Sequence, residues 1–149
     1  MTDGLTITRT FAASRELVYA AWTRPEQFSV WFGTEAVDVP LDTLSMDVRV
    51  GGEWNAVMHL PDGSTIQWHG EYTEVDPPER LAFTMTDDPS SDAREPVTVV
   101  LAEVDAGTEM TLTQTGGNLT EEQYAQTVIG YNGFFDVMAK LLAAQTRAG

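Results

Sequence analysis

The chain has 149 residues, the size of one domain, and a domain of that length buries about 68–70% of its unfolded surface. Eight basic residues against 23 acidic ones give a net charge of −15, which opposes nucleic acid and anionic membrane surfaces as partners, because both are recognised through clustered Lys and Arg. No cysteine is present, so disulfides, thiol nucleophiles and thiolate-bound metals are excluded. No apolar run approaches the roughly 18 residues of a spanning helix, and the start MTDGLTITRTF lacks the basic and apolar regions of a signal peptide. The expected compartment is the cytoplasm, and 1–149 is read as one domain.

In chain order, Leu5, Ile7 and Phe11 alternate with polar residues and predict a strand that ends at Ala12-Ala13. Ser14 reads as an N-cap for a helix carrying Leu17, Val18, Ala21 and Trp22. Pro25 stops that helix, because the residue before a proline avoids helical angles, and it opens a second short helix with Phe28, Trp31 and Phe32, closed by Gly33. Strands follow over 35–40, 44–50, 53–60, 64–75, 80–87, 96–104 and 108–115, separated by Gly51-Gly52, Pro61-Asp62-Gly63, Pro77-Pro78 and Ala106-Gly107. Between Asp87 and Pro96 the polar, acidic, aperiodic sequence predicts a surface loop.

The hairpin RVGGEWNAVMHLPDGSTIQWHG holds two of the four tryptophans and both histidines. Trp54, Ala56, Met58 and Leu60 before the turn and Ile66, Trp68, Gly70 and Tyr72 after it make one apolar face. These faces coincide only if Met58 lies opposite Ile66 and Ala56 opposite Trp68. The turn is then the three-residue loop Pro61-Asp62-Gly63, with Gly63 in the left-handed region. In that register His59 faces Thr65 and His69 faces Asn55, about 13 Å apart along the strands. The two imidazoles cannot share one metal ion, whose ligands each lie about 2 Å from it. No metal site and no cofactor are expected.

Thr120 and Gln123 form a capping box for the last helix, with Leu119 and Tyr124 placed as its hydrophobic staple. Tyr124, Val128, Tyr131, Phe135, Met138 and Leu142 step by three and four along it, one apolar stripe that must lie against the sheet. Gly130 and Gly133 weaken such a helix by about 0.5–1 kcal/mol each, which suggests close approach of another element or a ligand, or else two tolerated glycines.

The segments FAASRELVYAAWTRPEQFSVWF, DVRVGGEW, MHLPDG, GEYTEVDPPERLAFT and VTVVLAEVDAGTEMTLTQ resemble, from about Phe11 to Leu142, small domains related to the C-terminal domain of heat-shock-protein ATPase activators. These belong to the START and pollen-allergen superfamily (SRPBCC). The resemblance implies an α+β helix-grip fold: a curved antiparallel sheet wrapped around a long C-terminal helix, with two short helices after the first strand. It further implies a cavity between sheet and helix, walled by Trp54, Met58, Trp68, Tyr72, Phe83 and Met85 and closed by Tyr131 and Phe135, with Trp22 and Trp31 as further contacts. Many relatives carry Gly-Trp where this chain has Gly130-Tyr131.

Three functions are compatible with the resemblance. The first is a cytoplasmic carrier or sensor of an apolar or aromatic small molecule. The second, an enzyme of the polyketide-cyclase type, needs an acid or base in the pocket. Strand parity places none there, since Asp47 and Arg49 alternate away from Met46, Val48 and Val50, and His69 and Glu71 lie opposite the Trp68 face. No catalytic residue is assigned. The third, a co-chaperone of a heat-shock ATPase, is disfavoured because the N-terminal domain of such activators is absent from this sequence, and a chaperone partner is not expected. A homodimer is compatible with all three.

Overall fold

The computed structural model describes residues 4–32, 38–86, 95–115 and 120–148, with side chains to 144. Strand β1 is Leu5–Phe11, followed by helices α1, Arg15–Thr23, and α2, Pro25–Phe32. A 3-10 turn at Leu41–Thr43 leads into β2, Ser45–Met46, and β3, Glu53–His59. Then come β4, Thr65–Asp76, β5, Arg80–Met85, β6, Glu95–Val104, β7, Gly107–Gln114, and the long helix α3, Glu121–Ala148. Each strand pairs antiparallel with its neighbours in the order β1-β7-β6-β5-β4-β3-β2. The sheet curves round α3, and α1 and α2 connect its two edge strands. No helix among the described residues is long and apolar enough to cross a membrane.

Local chemistry sets the helix boundaries where expected. Ser14 caps α1 by accepting from the Leu17 amide at 3.3 Å, and Arg24, extended before Pro25, ends it. At the start of α3 the Thr120 amide donates to Gln123 Oε1 at 2.8 Å, and the Gln123 amide donates to Thr120 Oγ1 at 3.1 Å. The capping box is complete. The α3 stripe is buried at Tyr124, Tyr131, Phe135, Met138 and Leu142 and half-buried at Val128.

The hairpin register is the one the alternation requires: Met58 faces Ile66, Ala56 faces Trp68, Asn55 faces His69 and His59 faces Thr65. Gly63 has φ +89° and its amide donates to the Leu60 carbonyl at 3.0 Å, closing the three-residue loop.

The strand before the hairpin is shorter than expected. Of the predicted strand 35–40, residues 35–37 lie outside the described residues, as does Gly33, the expected end of α2, and Asp38 makes only an isolated bridge to His59. The predicted strand 44–50 keeps its ladder at Ser45 and Met46 alone. Beyond them the chain folds on itself, the Arg49 amide donating to the Asp47 carbonyl at 2.9 Å and the Gly52 amide to the Arg49 carbonyl at 2.8 Å. With no ladder to hold it inward, Val50 is 68% exposed. Leu119 and most of the acidic loop, residues 87–94, lie outside the described residues.

Candidate functional site

The aromatic residues picked out by alternation converge, yet most of them pack against one another. Trp22 meets Trp31 edge-on at 4.6 Å between ring centroids, and Phe83 and Phe135 lie 6.0 and 6.1 Å from Trp22. Trp54 meets Phe83 at 5.7 Å, and Phe83 meets Tyr72 at 6.3 Å. All six are buried, as is Met58. A void of about 10 Å³ remains between Trp22, Phe28, Met46, Trp54, Tyr72 and Phe83. That is about room for one water molecule, far below the roughly 300 Å³ of a small-ligand pocket. This part of the grip is a filled core.

Gly70 shows how tightly it is filled. A Cβ there would collide with the Thr84 carbonyl oxygen and with Trp54 Nε1, and would lie 2.7 Å from the Thr84 carbonyl carbon. The indole of Trp54 lies over the glycine and donates to the Thr84 carbonyl at 3.0 Å. Glycine is required here by close approach.

At one end of the grip the apolar side chains are only half-buried. The isolated bridge between His69 and Thr86 sets Trp68 and Met85 on neighbouring strands, and both are half-buried. Phe32 joins them to the helix, 6.2 Å from Trp68 and 5.3 Å from Phe134, and Phe134 stands 6.4 Å from Tyr131. Phe134, half-buried, was missed in the sequence because it stands one residue off the α3 stripe. The tryptophan N–H groups separate rim from core. Trp22 donates to Met110 Sδ at 3.3 Å, Trp31 to the Ala21 carbonyl at 2.7 Å, and Trp54 to Thr84. Trp68 Nε1 is shielded from solvent and has no partner among the described residues.

Behind this rim lies a polar group that parity reasoning excluded. Glu95 is only 7% exposed and belongs to β6, not to a surface loop. Its Oε1 accepts from Gln114 Nε2 at 3.0 Å and from the Tyr124 hydroxyl at 2.9 Å. The Tyr131 hydroxyl donates to Gln114 Oε1 at 2.8 Å. The expectation of no inward acid is therefore corrected: β6 begins at Glu95, one residue earlier than predicted, and Glu95 shares the inward parity of Val97, Val99 and Leu101. Burial, reinforced by the nearby Glu95 charge, pushes the Tyr131 phenol above its ordinary value. Burial does the same to Tyr72, with Tyr19 and Asp47 adding to it. The arrangement can hold an uncharged hydrogen-bonding group against an aromatic wall.

Gly130 and Gly133 play no part in this geometry. A Cβ at either would meet nothing within 4 Å, so the expected close approach is absent and the glycines are simply tolerated. The histidines keep their separate places: His69 Nδ1 lies 2.6 Å from Asn55 Oδ1 and its Nε2 lies 3.7 Å from Glu53 Oε1, while His59 is exposed. Among the described residues no three His, Cys, Asp or Glu side chains gather as metal ligands would.

A curved antiparallel sheet closed over a C-terminal helix, with two short helices bridging its edges, defines a helix-grip domain. The family described as activator of Hsp90 ATPase homolog 1-like protein matches residues 12–143, and the chain belongs to it. Among solved structures the chain is similar to a protein from Chromobacterium violaceum, at 24% identity and a TM-score of 0.85, covering 95% of this chain and 98% of that one. It is likewise similar to the AHSA1 protein from Silicibacter pomeroyi, at 26% identity and 0.82, covering 95% and 99%. An AHSA1-like protein from Aeromonas hydrophila follows at 25% identity and 0.79, covering 96% and 94%. No curated protein matches.

Proposed function

We propose that this protein is a binding module for an apolar or aromatic small molecule, seated at the rim between the β3–β4 hairpin and α3. The observation that carries the reading is the Trp68 indole N–H, buried without an acceptor beside Phe32, which also meets half-buried Phe134, and across neighbouring strands from half-buried Met85. Leaving a buried donor unpaired costs about 1–3 kcal/mol, and a ligand acceptor at the rim removes that cost. The filled interior around Trp22, Trp54 and Phe83 then serves as the rigid floor against which the ligand rests.

Titration with naphthalene-sized neutral aromatics tests this. Saturable binding should quench tryptophan emission and show a negative heat-capacity change. Trp68→Phe should weaken acceptor-bearing probes while leaving the denaturation midpoint unchanged or higher, because it removes an unpaired donor. If no such aromatic binds saturably to the native chain, the reading fails.

A further inference from the structure

The direction of the hydrogen bonds behind the rim specifies the chemistry of the ligand; the argument rests on the binding-module reading above. A carboxylate oxygen only accepts, so the two contacts to Glu95 Oε1 must be donated by the Tyr124 hydroxyl and by the amide nitrogen of Gln114. That assignment turns the Gln114 carbonyl oxygen toward Tyr131, 2.8 Å away. A carbonyl oxygen also only accepts. The single proton of the Tyr131 hydroxyl is thereby committed inward, and what the oxygen has left is acceptor capacity. Its other near neighbour is Met85 Sδ at 3.8 Å, a thioether with no proton to give. Tyr131 thus offers, next to half-buried Met85 at the rim, an acceptor that no described residue satisfies.

We infer that the ligand is a neutral aromatic or apolar molecule bearing an O–H or N–H donor, which it gives to the Tyr131 oxygen. Anionic ligands are disfavoured, because the buried Glu95 carboxylate lies one side chain behind Tyr131 and the whole chain carries −15. The Tyr131 phenol stays neutral for the same reason, since burial and the Glu95 charge both oppose its ionisation. Gln114 is the positioning residue that sets this polarity.

The test is calorimetric titration of the full chain with 2-naphthol, 2-methoxynaphthalene and 2-naphthoate, which share one ring system. The expectation is that 2-naphthol binds about tenfold tighter than 2-methoxynaphthalene, the worth of one buried hydrogen bond, and that 2-naphthoate binds most weakly. Tyr131→Phe should abolish the preference for 2-naphthol by weakening that probe alone. Gln114→Leu, which frees the Tyr131 proton to turn outward, should shrink or invert the preference. Equal binding of 2-naphthol and 2-methoxynaphthalene to the native chain overturns the donor assignment while leaving the binding module standing. So does a preference that survives Tyr131→Phe, or a 2-naphthoate affinity equal to that of 2-naphthol. Absence of binding by all three overturns both readings. The native comparison decides the matter even if a variant does not fold.

Discussion

Gly70→Ala interrogates the packed part of the grip directly. The backbone at Gly70 is not among the positive-φ positions, so alanine meets no conformational barrier and the whole effect is steric. The new methyl collides with the Thr84 carbonyl and with Trp54 Nε1, the acceptor and donor of one part-buried hydrogen bond. Thr84 is flanked by Phe83 and Met85, which pair with Val97 and Glu95 on β6, so the strand cannot simply retreat. Overpacking against backbone takes the upper end of the usual range, about 3 kcal/mol. Losing the indole hydrogen bond adds about 1 kcal/mol, and the stiffer unfolded chain returns about 0.7 kcal/mol. The net loss is about 3 kcal/mol, a large share of the 5–15 kcal/mol typical of a domain. In urea, with a slope of about 2 kcal/mol per molar, the midpoint should fall by about 1.5 M at unchanged slope. A midpoint equal to the native one would show that β3, β4 and β5 do not approach as described, and the account of a filled interior would fall with it.

At Gly130 and Gly133 the same substitution should act in reverse, because neither Cβ meets an atom: each alanine should raise the stability of α3 by about 0.5–1 kcal/mol. A lowered urea midpoint would reveal a close neighbour after all. Thr120→Ala removes one arm of the capping box and should cost about 1 kcal/mol, read as a lower midpoint at unchanged slope; no change would deny Thr120 the cap. Alkaline pH should destabilise the fold. Burial, with the Asp76 and Glu74 charges adding, pushes Tyr19 up to about 12, and Tyr72 and Tyr131 are raised as well. Above about pH 10 the unfolded chain loses phenolic protons that the folded chain keeps, so stability falls by about 1.4 kcal/mol per pH unit for each such tyrosine. Full stability is present below the unfolded value and disappears as pH climbs toward the folded ones. Urea midpoints that stay flat through that window would refute the burial of these phenols.

Where one residue type has one physical use, the fold was legible in the sequence. Ser14, Pro25 and the Thr120–Gln123 pair mark helix starts because caps and prolines act over three or four residues, and each acts as expected. The hairpin register followed from parity and from a turn that only one pairing satisfies. Legibility ended where two local solutions compete. Met46, Val48 and Val50 alternate like a strand, yet backbone hydrogen bonds at Arg49 and Gly52 fold the chain back after two residues. Glu95 was lost in a polar stretch because a strand end carries no signal of its own, and inward parity can be read only once the first residue of β6 is known.

The site was harder, because alternation reports which side chains face inward and says nothing about how much space they leave. The sequence groups ten residues from the hairpin, α1, α2, β5 and α3, and alternation treats Trp54 and Trp68 alike. Hydrogen-bond accounting divides them. A tryptophan whose N–H is already given to Thr84 is part of the wall, and changing it costs packing. A tryptophan whose N–H is buried and ungiven leaves an interaction for something else to make. The same accounting run along Glu95, Gln114 and Tyr131 fixes which way each proton points, although every one of these side chains is already bonded. Volume places the Trp22–Trp54–Phe83 cluster in the packed interior, and the ungiven Trp68 N–H with the remaining acceptor capacity of Tyr131 is what supports the proposed site at the other end; the two criteria are independent.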